Sequence, residues 1–297
     1  MIIVTGANGM LGTAVVDELL QRVAGEQIGV SVRDPQKDPR RLADLAQRGV
    51  RVRRGDFAEP ESLQEAFEGA SQVLVVSANS TGADAVRLHR AAVDAAVAAG
   101  AQRIVYTSHM GADPSSPFLP MPDHAATEEV LQASGTAFTS LRNGFYASTV
   151  PMLLGHALHT GELRVPRDGA IAWTTHADLA AAAARILVDE PFEGPTPPLT
   201  GPTAVDMAQV AEIASQLTGR EIRHVVVGDE EYRQDLRSAG LPAPAADILV
   251  GMFAASRRGD FRPAGPALPA LLGRPATPLR EYLAAALAAS GDAARIG

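Results

Sequence analysis

Met1-Ile2-Ile3-Val4-Thr5-Gly6-Ala7-Asn8-Gly9-Met10-Leu11-Gly12 opens the chain, and its reading decides the fold. Ile2 to Val4 have the β-branched bias of a buried strand. Gly6, Gly9 and Gly12 follow in the spacing G-x-x-G-x-x-G, and an apolar-periodic segment runs on from Met10 to Val23. A strand that turns on glycines into a helix gathers free backbone N–H groups and the positive end of a helix dipole at one point, which makes an anion site. In a βαβ unit that anion is typically a dinucleotide diphosphate. Glycine-rich turns are common, so the strand before and the helix after carry this reading more than the three glycines do. Together they make the turn the candidate cradle for a dinucleotide cofactor.

Strands and helices alternate regularly beyond this turn. Ile28 to Arg33 reads as a second strand, and Arg33 lies about twenty residues after the glycines, where an acid suits a ribose 2′-hydroxyl and an arginine a 2′-phosphate. NADP (as NADPH) is the cofactor expected; Asp34 keeps NAD open, and a solvated strand end is the plain alternative for Arg33. Val50 to Arg54 reads as a third strand, leading to Asp56 and Phe57 at the same sheet edge, where Asp56 either accepts from the adenine amino group or caps the next helix. Gln72 to Val76 ends in Ser77, Ala78 and Asn79, small residues that admit the cofactor's ribose and nicotinamide or simply form a loop. A helix from Ala83 to Ala99, a strand from Arg103 to Ser108, a helix opening at Pro122 with Asp123 as N-cap, and a strand from Thr136 to Arg142 follow. In that helix His124, Thr127 and Glu128 share one face.

The alternation predicts an α/β fold, a Rossmann-type doubly wound parallel sheet with a smaller C-terminal α/β substrate lobe. Residues 1–148, with 177–202 returning to them, form the dinucleotide-binding domain; 149–176 and 203–297 form the substrate lobe. Pro198 to Pro202 reads as the last strand of the sheet, and Glu221 to Val227 as a strand of the lobe.

Composition narrows the function. The 297 residues are 46% hydrophobic and 20% charged, with a formal net charge of −8. This suits a globular protein without a nucleic-acid-binding face. Met1-Ile2-Ile3 starts a strand with no basic n-region, and the alanine-rich segments carry charges, so neither a signal peptide nor a membrane span is expected and the cytoplasm is the default location. The absence of cysteine excludes disulfides, thiolate metal sites and cysteine nucleophiles. His156 and His159 lie one helical turn apart without an accompanying acid pattern, and no metal is expected.

Lys37 is the only lysine, and no tyrosine stands four residues before it. The Y-x-x-x-K proton relay of ordinary short-chain dehydrogenases is therefore excluded by inspection. Val4 to Gly12, His124-Ala125-Ala126-Thr127-Glu128, Leu141-Arg142-Asn143-Gly144-Phe145-Tyr146 and Leu272 to Leu279 resemble the atypical short-chain dehydrogenases of the NmrA-like group. Within it the nearest likeness is to the type-2 NAD(P)H:quinone oxidoreductases and the triphenylmethane dye reductases, over essentially the whole chain. The resemblance implies NADPH bound across Gly6 to Leu11, Arg33, Ser77 to Asn79, and Asn143, Gly144, Phe145 and Tyr146. Many NmrA-like reductases carry a lysine where this chain has His124.

The activity implied is NADPH-dependent hydride transfer to a quinone or quinone-like electrophile such as a dye, with a small-molecule electron acceptor as the partner. His124 is the candidate catalytic residue, able to protonate the acceptor oxygen because an unperturbed imidazole titrates near neutrality. A histidine near a helix start is also a common surface or cap residue. The alternative from another class is an NmrA-like redox sensor that binds NADP without turnover. An isomerase or a carbonyl or imine reductase is disfavoured by the missing relay, and a homodimer stays open.

Overall fold

Ile2–Thr5 (β1) is buried along its whole length, the pattern of a strand covered on both faces of a parallel sheet. A turn on Gly6, whose φ of +61° suits a residue without Cβ, leads into α1 (Met10–Leu19). The computed structural model continues with β2 (Ile28–Val32), α2 (Pro39–Gln47), β3 (Arg51–Arg54), α3 (Pro60–Ala66), β4 (Gln72–Val75), α4 (Ala83–Ala98), β5 (Arg103–His109), α5 (Pro120–Ala133) and β6 (Ala137–Asn143). Then come α6 (Thr149–Leu154), α7 (Ala157–Thr160), β7 (Glu162–Pro166), α8 (His176–Val188), β8 (Gly194–Pro195), α9 (Met207–Thr218), β9 (Arg223–Val227), α10 (Asp229–Ser238), α11 (Ala243–Arg258), α12 (Ala267–Leu272) and α13 (Leu279–Ile296). The structure describes residues 1–189 and 192–296; Glu190, Pro191 and Gly297 of the expected domain spans lie outside the described residues.

The chain divides into two compact units, one of Met1–Pro114, Pro120–Asn143 and His176–Pro197, the other of Ser115–Leu119, Gly144–Thr175 and the residues from Pro198 on. In the first unit the described strands pair in the order β3-β2-β1-β4-β5-β6-β8, all in parallel. This is the doubly wound sheet expected from the sequence. Its order reverses between β1 and β4, the switch point outside which such sheets bind ligands. Leu63 and Phe67 at α3, Val93 and Ala96 of α4, and Val130 and Leu131 of α5 pack with Ile3, Val73, Ile104 and Tyr106 into one buried core. The helix α1 packs against α8, where buried Ala180, Ala182, Ala183 and Ala184 keep the side chains short enough for close approach.

In the second unit β7 and β9 form a parallel pair with Glu162 opposite Arg223. Phe118, Phe145, Trp173 and Phe261 form an aromatic core there, with ring centroids 4.9 to 5.6 Å apart.

Two local expectations are corrected. The last sheet strand is Gly194–Pro195, paired with Thr139 and Ser140, rather than Pro198 to Pro202. Leu199 and Gly201 are instead engaged in the second unit, where Leu199 O accepts from Gly144 N at 2.7 Å and Gly201 N donates to Thr174 Oγ1 at 2.9 Å. The helix expected from Pro122 starts at Pro120, because prolines in a first turn lack only an N–H that has no intrahelical partner anyway. Asp123 is thus inside the helix and caps nothing at its start; its Oδ2 accepts the Gly82 N–H at 2.7 Å, and burial raises its carboxyl above the usual range against the opposing pull of that bond.

Candidate active site

The glycine turn closes on itself through Gly9 N donating to Gly6 O at 2.8 Å. Gly9 is the N-cap of α1 and offers no side-chain cap, which leaves the first N–H groups of the helix available to an anion. Gly12 is required for packing. A Cβ there would collide with the Gly6 carbonyl oxygen and stand 2.8 Å from the Gly6 carbonyl carbon and 3.1 Å from Ala7 Cα. Ala7 and Leu11 are buried beneath the turn, whereas Met10 is 64% exposed at the helix start.

Asn8 donates through Nδ2 to Asp34 O at 3.1 Å, tying the turn to the end of β2, while its Oδ1 is buried without a partner among the described residues. Asp34 spends its carboxylate on its own loop, accepting from Gln36 N at 2.9 Å. Arg33 is exposed beside it. These observations fit a dinucleotide: an uncapped helix start for the diphosphate, an exposed guanidinium for a 2′-phosphate, and an orphaned acceptor that a donor such as a ribose hydroxyl would satisfy.

Asp56 does not cap α3, whose N-cap is Glu59. Its Oδ1 accepts from Ala58 N at 2.9 Å, and half-buried Phe57 packs on the core. The chain leaving β4 is pinned by buried hydroxyls of β1 and β5, with Val76 N donating to Thr5 Oγ1 at 2.9 Å and Ser77 N to Thr107 Oγ1 at 2.8 Å. Ala78 N donates to His89 Nε2 at 2.9 Å, and Asn79 is exposed.

At the carboxyl ends of β5 and β6, His109 is the register partner of Asn143. Asn143 is 2% exposed, and both its side-chain oxygen and nitrogen lack partners among the described residues. A buried amide with both ends open is costly unless a ligand group meets it. His124 stacks on His109 with ring centroids 6.1 Å apart, and its Nδ1 lies 2.7 Å from the Tyr106 hydroxyl.

Burial, reinforced by the neighbouring His109 and His89, holds the His124 imidazole well below its ordinary pKa. Burial likewise lowers His109 and His89 to about 4. The buried His124 imidazole is therefore held in its neutral form. The expectation of a proton reservoir titrating near neutrality is corrected by desolvation of the charged form.

Glu128, one turn further along α5, takes a bidentate grip from Arg142 on β6, with Nε to Oε1 at 3.1 Å and Nη2 to Oε2 at 2.6 Å, and also accepts from Ser108 Oγ at 2.7 Å. The motifs H-x-x-T-E and L-R-N-G-F-Y thus meet physically through this ion pair, which fixes α5 against β6. In the second unit Gly144 lies where a Cβ would collide with Thr174 Oγ1 and stand 2.9 Å from Leu199 O. Phe145 is a member of the aromatic core, and half-buried Tyr146 bridges to Thr174.

Sequence reasoning missed His89. It lies on the buried stripe of α4 with Ala85, Ala92, Val93 and Ala96, and a polar residue inside an apolar helical stripe was the available signal. Among the described residues no group of three or more His, Asp or Glu is placed to hold a metal ion, and no helix is long and apolar enough to cross a membrane.

A parallel sheet with a glycine turn into a helix at its switch point defines the class as a Rossmann dinucleotide-binding protein. The chain belongs to the NmrA-like family, whose model matches residues 1–272. It is 34% identical over 285 residues to quinone oxidoreductase 2 of Escherichia coli (strain K12), covering 95% of this chain and 96% of that one. It superposes with a TM-score of 0.90 on the NADPH-dependent quinone oxidoreductase of Escherichia coli complexed with NADPH, at 33% identity over 97% of this chain and 100% of that one. The Citrobacter sp. triphenylmethane reductase complexed with NADP(H) follows with a TM-score of 0.86, at 33% identity over 96% of this chain and 100% of that one.

Proposed function

We propose that this protein is an NADPH-dependent oxidoreductase that reduces a quinone or a quinone-like small molecule such as a dye. The observation that carries the reading is the group at the ends of β5 and β6: a buried Asn143 amide with open hydrogen-bonding ends in register with His109, and a neutral His124 stacked on that histidine. The relatives named above, a quinone oxidoreductase and a dye reductase with NADPH or NADP(H) in their structures, support it.

In this reading the N–H groups at the start of α1 hold the diphosphate, Arg33 holds the 2′-phosphate, and Ser77 to Asn79 border the ribose. Bound NADPH supplies the hydride. Negative charge then develops on the acceptor oxygen, and neutral N–H donors such as His124 and the Asn143 amide stabilise it without releasing a proton of their own. An acceptor that is easily reduced needs little more than such positioning, which agrees with the missing Y-x-x-x-K relay. A small-molecule partner accords with the net charge of −8, which disfavours nucleic acid; cytoplasmic location and a homodimer belong to the same proposal, and light scattering tests the latter.

Mixing the protein with NADPH and a panel of quinones and triphenylmethane dyes, and following the nicotinamide absorbance, tests the activity. Oxidation above background with at least one acceptor is expected. Tight NADPH binding without oxidation by any acceptor overturns the reductase reading in favour of a sensor.

A further inference from the structure

Three side chains behind His124 form a hydrogen-bonded chain whose proton positions follow from its one fixed donor. The Ala78 backbone amide can only donate, and it points at His89 Nε2 at 2.9 Å. Nε2 is therefore the acceptor of a neutral ring, and the proton of His89 sits on Nδ1. The neutral state is secured by burial, which lowers the ring to about 4, with 2% of the residue exposed. His89 Nδ1 faces Thr127 Oγ1 at 2.9 Å, and the Thr127 hydroxyl spends its own hydrogen on Asp123 O at 2.8 Å. Its oxygen thus accepts from His89.

Tyr106, fully buried on β5, places its hydroxyl 3.4 Å from the same Nδ1 and 2.7 Å from His124 Nδ1. A protonated Nδ1 of His89 cannot accept, and the shorter contact of the tyrosine hydroxyl is the one to His124 Nδ1. With the tyrosine hydrogen on that contact, a neutral His124 would carry its single proton on Nε2.

We propose that Tyr106 and His89 are positioning residues for the reduction, holding His124 as the Nε2–H tautomer so that a hydrogen-bond donor stands ready for the acceptor oxygen. The inference rests on the proposed reductase role of His124. It also makes the loop after β4 part of the same device. The Ala78 amide that sets the tautomer belongs to the Ser77–Asn79 segment assigned to the cofactor, so the placement of that loop and the donor on His124 are coupled through His89. The other titratable groups facing the chain are His109, stacked on His124 at 6.1 Å, and Asp123, whose carboxylate is engaged by Gly82 N.

The test is a long-range proton–nitrogen NMR spectrum of the histidine rings in the full-length protein at pH 7, with His124 assigned by its loss in His124→Gln and His89 by its loss in His89→Gln. The expected result is His89 protonated on Nδ1 and His124 on Nε2. The opposite tautomer on either ring overturns the proposal, and wild-type protein alone suffices for that outcome.

Tyr106→Phe keeps the ring and deletes the hydroxyl. It is expected to move the His124 Nδ1 resonance and to lower kcat about tenfold, with KM for the acceptor and Kd for NADPH within about twofold, because only the orientation of the donor is lost. An unmoved His124 resonance with unchanged kcat overturns the proposal. Failure of NADPH oxidation with every acceptor defeats the reductase reading and, with it, the positioning role, while the ring spectrum still decides the tautomers.

Discussion

Substituting the three glycines of the first turn one at a time separates packing from conformation, and the structure ranks the outcomes. In Gly12→Ala the new methyl meets backbone, colliding with the Gly6 carbonyl oxygen and standing 2.8 Å from its carbon. Backbone cannot rotate away as a flexible side chain can, so α1 must move off the turn. Overpacking of this kind costs about 1–3 kcal/mol, against a gain of about 1 kcal/mol for alanine over glycine inside a helix. The same movement displaces the N–H groups meant for the diphosphate, and an added loss of about 1.4 kcal/mol in binding is tenfold in Kd.

Gly6→Ala suffers from its φ of +61°, about 1–2 kcal/mol, with its methyl 3.3 Å from the yielding Val76 side chain. In Gly9→Ala the methyl lies 3.2 Å from Gly6 O and φ is −93°, so its stability changes by less than about 1 kcal/mol. Thermal unfolding of the ligand-free proteins and NADPH titration by calorimetry measure both effects. Gly12→Ala and Gly6→Ala should melt about 2–5 °C lower and Gly9→Ala within about 2 °C of wild type, with Gly12→Ala binding NADPH at least about tenfold more weakly. A Gly12→Ala protein with wild-type melting and binding, or a Gly9→Ala protein destabilised more than either, refutes the packing argument.

Three further outcomes follow from the same geometry. Arg33→Ala should raise the Kd for NADPH about tenfold or more while leaving NADH within about twofold; equal effects on the two cofactors remove the 2′-phosphate assignment. Glu128→Gln should cost about 2 kcal/mol, because Arg142 and Ser108 lose a charged acceptor, seen as a lower urea midpoint at constant slope; an unchanged midpoint means that the ion pair contributes nothing. His89 is neutral in both folded and unfolded chains above about pH 6.5; below it the unfolded chain takes up a proton that the folded ring refuses until about pH 4. Stability therefore falls as pH drops through that window, by up to about 3 kcal/mol from this ring at 1.36 kcal/mol per unit, and His89→Gln should flatten the decline measured by urea unfolding between pH 7 and pH 4.

Much of the fold was legible because its signals are local. A β-branched run before glycines, a helix after them, and repeated strand–helix alternation depend on neighbouring residues, and the parallel sheet follows from them. The weaker points have physical causes. Pro198 to Pro202 resembles a strand by composition, yet its backbone groups are claimed by Gly144 and Thr174, which lie far away in sequence. Pro120 was invisible as a helix start because proline ends helices as readily as it begins them. His89 went unseen because one polar residue in an apolar stripe is chemically silent until its partners on β5, α5 and the loop after β4 are known.

By itself the sequence determined the anion-binding turn, the arginine that follows the second strand, and the exclusion of any mechanism needing a tyrosine–lysine pair or a thiol. These depend on which residues exist and on their spacing along one or two elements. Only the tertiary structure decided the desolvation of His124, the partners of His89 behind it, the pairing of Glu128 with Arg142, and the removal of the Phe145 ring into an aromatic core. A side chain's charge and hydrogen-bonding role are set by the desolvation and the partners it meets in space, and for these residues the partners come from strands and helices that only folding brings together.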